Sequence, residues 1–176
     1  MLLTLIMMLQ TKEVPLIITL KINEPSQLFF NDKRKVYFPA HANYVDAHIT
    51  LLHKLPSINL DIEIGMTQFA QHKKFDLLIS DIILFETSVS YAIESPQLLH
   101  LHAEMQSKFD PYLILNDRKI LKPHITIQNK VTTYKAQKTH VLLLKDFNPF
   151  VVKAIGFTSW YYLKGYWDKK EDYFFG

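Results

Sequence analysis

The stretch His124-Ile125-Thr126-Ile127 repeats a pattern the chain has already used at His48-Ile49-Thr50-Leu51. In each copy the histidine and threonine stand two apart. On a strand they therefore share one face, and the aliphatic residues beside them share the other. A fold that uses both copies has to bring two strands to one place. The chain has eight histidines. Average composition puts Thr or Ser two residues later, then an apolar residue, for about one His in twenty. One match is unremarkable, but two His-Ile-Thr-aliphatic runs, one in each half, point to a shared task.

The segments around the motifs read as alternating strands and helices. Residues 15–22 are rich in β-branched side chains and predict a buried strand. Asn23 and Pro25 predict a helix start, and Phe38-Pro39 its end. The first motif strand stops at Pro56. In residues 57–74 the alternation of Ile58, Leu60, Ile62 and Ile64 fits a strand, whereas the position after a motif strand fits a helical crossover. Two strands are expected at 75–85 and 88–93. A helix follows from Glu94-Ser95-Pro96 to Phe109, with Leu98, Leu99, His102 and Met105 at helical spacing. A loop at 110–118 leads to the second motif strand, from His124 to about Lys130. Thr132 or Thr133 then caps a helix over 134–145, a long strand spans 150–162, and a short aromatic tail follows a turn at Gly165. Each half thus holds a helix between strands and one His-x-Thr strand, an internal repeat at the level of architecture.

Two histidines and two hydroxyls on facing strands suit phosphodiester hydrolysis. Water must lose a proton on one side of phosphorus, and the leaving oxygen must gain one on the other. An imidazole titrates near neutrality and can do either. Threonine hydroxyls on the same face can hydrogen-bond the nonbridging oxygens as charge builds there. A good leaving group, such as the ring oxygen of a cyclic phosphate, would need neither a metal nor another cofactor. The formal charge of +3, with no long basic run, fits a small phosphorylated ligand or an RNA end better than duplex coating.

The paired motifs resemble the 2H phosphoesterase superfamily, in the branch of bacterial 2'-5' RNA ligases and cyclic phosphodiesterases. Leu16 to Leu20, the Ala47-His48 approach, Lys122-Pro-His-Ile-Thr126 with Gln128-Asn129-Lys130, and Trp160-Tyr-Tyr-Leu163 extend the likeness over roughly residues 14–167. The resemblance implies an α+β fold of two lobes, about 14–85 and 86–167. In it two antiparallel sheets form a central cleft, with helices packed outside. It implies His48 and His124 as the acid/base pair, Thr50 and Thr126 as phosphate binders, and opening of a 2',3'-cyclic phosphate to a 2'-phosphate. Which histidine is base and which acid stays open. Lys130, Tyr91, Trp160 and Tyr162 are candidates to line the cleft or stack a base, which would be sequence-tolerant. The partner expected is a nucleotide or RNA end bound by a monomer. An RNA-end binding module with little turnover and a metal-dependent histidine hydrolase are the rival readings.

Other features carry less. His100 and His102 diverge on a helix and read as solvated or packed rather than as a metal pair. His53 follows the first motif at odd spacing and is expected to face away from His48. The absence of cysteine excludes disulfides, thiolate metal sites and a cysteine nucleophile. Four unclustered glycines exclude a P-loop or dinucleotide fingerprint, and the lack of a Gly-x-Ser-x-Gly elbow argues against a serine hydrolase. The apolar opening is too short to span a bilayer and lacks a basic n-region and a cleavage site. Residues 1–13 are expected to form a poorly defined extension to a cytoplasmic chain with no membrane partner.

Overall fold

Strand β1 (Leu16–Ile22), helix α1 (Glu24–Tyr37) and strand β2 (Ile49–Leu55) form the first repeat unit. The computed structural model describes residues 14–176, so the opening extension lies outside the described residues. Helix α2 (Leu60–Phe69) and strand β3 (Phe75–Phe85) lead to the second unit, made of β4 (Ser88–Glu94), α3 (Pro96–Phe109) and β5 (His124–Gln128). Helix α4 (Thr133–Leu144), β6 (Phe150–Leu163) and β7 (Tyr166–Phe174) complete the chain. Among the described residues no helix is long and apolar enough to cross a membrane.

The ambiguous segment after β2 is helical. Asn59 caps it by accepting from the N–H groups of Asp61 and Ile62. Ile62, Met66 and Phe69 recur at helical spacing and are buried, whereas Ile58, Leu60 and Ile64, which suggested a strand, are exposed. The aromatic tail is a full strand, β7, paired along β6 from Leu163↔Tyr166 to Gly156↔Phe174. Its polar residues Asp168 to Glu171 mask its strand character, because one face of an edge strand meets solvent.

The strands run in the order β2-β1-β6-β3-β4-β5, with β7 also on β6, and every pairing is antiparallel. Ala154 pairs with both Ile22 and Phe75, so β1 and β3 lie on opposite edges of β6. β3 pairs only with its first residues, up to Ala154, and from Gly156 onward β7 takes over. The two expected sheets are thus halves of one hydrogen-bonded sheet, β2-β1-β6-β7 and β6-β3-β4-β5, sharing β6. The halves do not follow a division near residue 85, because β3 pairs with β4 and the C-terminal hairpin returns to β1. The motif strands β2 and β5 sit at the two ends of the order.

Each repeat unit lends its helix to the other unit's motif strand. Arg34 of α1 donates to the Thr126 carbonyl of β5 at 2.7 Å, and Gln128 of β5 donates to the Tyr37 carbonyl at 3.2 Å. In return, His102 of α3 donates Nε2–H to the Leu51 carbonyl of β2 at 3.0 Å. Helix α1 also holds the approach to the first motif, through Gln27 on the Ala47 carbonyl and the Asn31 side chain on the Ala47 N–H. The buried faces of the motif strands, Ile49, Leu51, Ile125 and Ile127, are at most 1% exposed. Each such side chain contributes about 1.5–3 kcal/mol and fixes which way the residues between them point.

Candidate active site

Both motif histidines are set by the same device. His48 donates Nδ1–H to the Asp46 carbonyl at 2.7 Å, and His124 donates Nδ1–H to the Lys122 carbonyl at 2.8 Å. A carbonyl can only accept, so each neutral ring keeps its proton on Nδ1 and leaves Nε2 as the reactive nitrogen. The threonines match as well. Thr50 stands opposite Thr19 across β2 and β1, and Thr126 opposite Ser90 across β5 and β4. Ser90 and Thr126 share a hydrogen bond of 3.1 Å between their hydroxyls, while Trp160 donates its indole N–H to Thr19 at 2.8 Å.

These four side chains meet in one place. A cavity of about 750 Å³ is lined by His48, Thr50, His124 and Thr126, with Arg118, Lys119 and Lys122 adding positive charge. An aromatic ring flanks each imidazole, Trp167 at 4.7 Å from His48 and Phe85 at 6.1 Å from His124, centroid to centroid. Beneath the site Arg34 is 4% exposed. It bonds the Asn43 side chain at 3.1 Å and lies 4.1 Å over the Phe38 ring. Burial lowers its guanidinium to about 10, against the opposing charge of Asp46, and it stays a cation at neutral pH.

The two imidazoles are not electrostatically equal. Burial holds His48 well below the ordinary histidine value, at about 4. The hydrogen bond to Asp46 opposes this, the charges of Arg34 and His124 reinforce it, and the charge of Asp46 opposes it again. His48 is therefore neutral at pH 7, with a free lone pair on Nε2. His124 stands more open to solvent at the head of β5. A neutral imidazole, a second imidazole of the same geometry and two hydroxyls around one anion-sized space can move protons at a phosphate.

A family model described as the 2'-5' RNA ligase superfamily matches residues 22–165. The chain belongs to this superfamily, the 2H phosphoesterases. Membership brings a phosphoesterase-type function. Among solved structures, TT0787 of Thermus thermophilus is 17% identical with a TM-score of 0.65, over 91% of this chain and 97% of that one. E. coli LigT complexed with NADP+ is 14% identical with a TM-score of 0.58, and LigT complexed with 3'-AMP 15% identical with 0.58. Each of these alignments covers 93% of this chain and 99% of LigT. At such identities the likeness speaks for the fold. No curated protein matches the chain.

The four motif residues line the cavity, whereas Tyr91, Trp160, Tyr162 and Lys130 do not. Tyr91 pairs with Ile125, so alternation turns it into the core, where it is 3% exposed. It packs against Phe29, Phe30, Phe147 and Phe150, and burial pushes its hydroxyl up to about 12. Trp160 supports the site from behind, through Thr19. Tyr162 pairs with Trp167 and donates its N–H to the Pro15 carbonyl. Lys130, exposed just beyond β5, adopts φ 57°.

His53 corrects the expectation that it faces away from His48, since both line the cavity. Thr50 pairs with Thr19 but Leu52 with Ile18, so Leu51 is an extra residue in the ladder. Such a bulge reverses the alternation beyond it. No sequence signal marks that bulge, nor does any tie Arg34, Asp117 or Trp167 to the motifs.

Proposed function

We propose that the protein is a metal-independent phosphoesterase that hydrolyses 2',3'-cyclic phosphates or 2'-5' phosphodiester bonds of nucleotides or RNA ends. The observation that carries this reading is the matched pair of imidazoles, each tied by Nδ1 to the carbonyl two residues upstream, above a matched pair of threonines. His48 is the general base. Its Nε2 takes a proton from water as the water oxygen attacks phosphorus. The bond from phosphorus to the 3'-oxygen breaks, and protonated His124 gives its Nε2 proton to that leaving oxygen, so a 2'-phosphate remains. Thr50 and Thr126 donate to the nonbridging oxygens, and Arg34, through the Thr126 carbonyl, fixes the strand that carries the second motif. The nucleotides named in the LigT complexes, NADP+ and 3'-AMP, are in keeping with a nucleotide substrate.

The base assignment rests on His48 being held neutral, and it predicts a bell-shaped pH profile. The deciding experiment is turnover of 2',3'-cyclic mononucleotides and 2'-5' dinucleotides in EDTA by wild type, His48→Ala and His124→Ala. Hydrolysis by wild type that falls by about 10²-fold or more in each variant supports the reading. Undiminished activity in the variants refutes it, and activity abolished by EDTA points to a metal-dependent hydrolase. Tight binding of a 2'-phosphorylated nucleotide without turnover favours a binding module.

A further inference from the structure

The bulge at Leu51 does more than shift β2. The Leu51 carbonyl is met by His102, 3% exposed on α3, whose ring burial keeps below its ordinary value and so neutral, a donor through Nε2–H. Beyond the bulge, His53 turns into the cavity, where its Nδ1–H donates to Oδ1 of Asp117 at 2.6 Å. The other oxygen of Asp117 accepts the His53 backbone N–H at 2.8 Å. Asp117 is 3% exposed, so a buried carboxylate gives both its oxygens to this one residue. Gln106 of α3 donates to the carbonyls of Asp117 and Lys119, at 2.7 and 2.9 Å, which fixes the loop behind the pair. His53 Nε2 has no partner among the described residues. Arg118, steadied by Asp110, joins Lys119 and Lys122 as cations lining the same cavity.

A buried carboxylate is costly unless its hydrogen bonds are satisfied. Backbone N–H groups alone would do that for a loop anchor. Here one oxygen instead orients a cavity-facing ring that lies outside the two motifs. Resting on the phosphoesterase reading above, we propose that His53 and Asp117 form a second phosphate subsite, and that the substrate is an oligonucleotide end rather than a mononucleotide. His53 lies five residues beyond His48, but the bulge takes up one of them, so the two stand about four ladder steps apart, roughly 13 Å at ~3.3 Å per step. A single nucleoside cyclic phosphate cannot span that distance, but a second sugar-phosphate unit reaches towards it. An imidazole held by a carboxylate at Nδ1 can present Nε2–H to a phosphodiester oxygen, which places the ring between two anions and gives a charge-assisted hydrogen bond on each side.

The test compares kcat/KM for a nucleoside 2',3'-cyclic monophosphate with that for a dinucleotide bearing the same cyclic end. Wild type should prefer the dinucleotide, and His53→Ala should reduce that preference by about tenfold or more, the effect of one charge-assisted hydrogen bond. Because His53→Ala leaves the Asp117 carboxylate short of a donor, H53A combined with D117N provides a variant with a neutral buried group. It should lose the same preference. The inference is overturned if wild type does not favour the dinucleotide, or if both variants lower the two substrates alike, as a purely structural anchor would. If wild type hydrolyses neither substrate, the phosphoesterase reading fails by itself. Binding of a dinucleotide and a mononucleotide with 2'-phosphate ends then decides, with a selective loss for the dinucleotide in His53→Ala supporting the subsite and equal losses refuting it.

Discussion

Protonating His48 should cost the fold stability and the site its base in the same pH window. Its imidazole sits at about 4 in the folded protein against an ordinary 6.5. At 1.36 kcal/mol per pH unit, that separation is at most about 3.4 kcal/mol. Solvent reaches part of the ring, so roughly half of this is a better expectation. The sign follows from proton counting. Between pH 6.5 and 4 the unfolded chain binds a proton at this residue that the folded protein does not, so stability rises with pH through that window and is lost as pH falls. His48→Gln should flatten this part of the stability profile. A direct check is an NMR titration of the histidine ring carbons, in which the His48 resonance should move near pH 4. His124→Ala and Arg34→Met should each raise its titration point, because both charges depress it, and Asp46→Asn should lower it further. In catalysis the acid limb of kcat/KM follows the free enzyme, whereas a bound phosphate anion raises His48 and moves the limb of kcat to higher pH. A His48 resonance that titrates near 6.5, or moves the wrong way in Arg34→Met, would refute this account of the pair.

Other perturbations probe single parts of the site and fold. Thr50→Val and Thr126→Val should each lower kcat by about 10²-fold in steady-state kinetics if their hydroxyls meet charge that develops on the phosphate oxygens. Thr126→Val also takes the partner from the buried Ser90 hydroxyl and should cost about 1 kcal/mol of stability. Trp167→Ala removes the ring 4.7 Å from His48 and lets water reach the imidazole, so the NMR titration point of His48 should rise. Gly156→Ala should destabilise the protein by about 2 kcal/mol or more in denaturant unfolding, since a Cβ there would meet the Tyr173 carbonyl oxygen at 2.1 Å, where β7 joins β6.

The sequence by itself determined the two motif strands and the chemistry they support. Alternation is a local property, so Ile49, Ile125 and Ile127 had to point inward and the histidines and threonines outward. Helix caps were legible for the same reason, with Ser95 and Thr132 accepting from N–H groups within their own first turns. Tyr91 has the parity of the core, sharing the inward face with Ile125. On β4 it alternates with Ser90, which does reach the site.

Tertiary structure decided everything that depends on a partner strand or a distant helix. A bulge is a relation between two strands, so neither Leu51 nor the swing of His53 into the cleft is visible in one strand's residues. The buried cation at Arg34 meets its acceptor 92 positions away, across the exchange of helices between the repeat units. The polar stretch that closes the chain became a strand because β6 had an edge left free beyond Ala154. The His-x-Thr motifs name the reacting groups through local periodicity, while long-range packing sets how far the cleft runs past them and which charges line it.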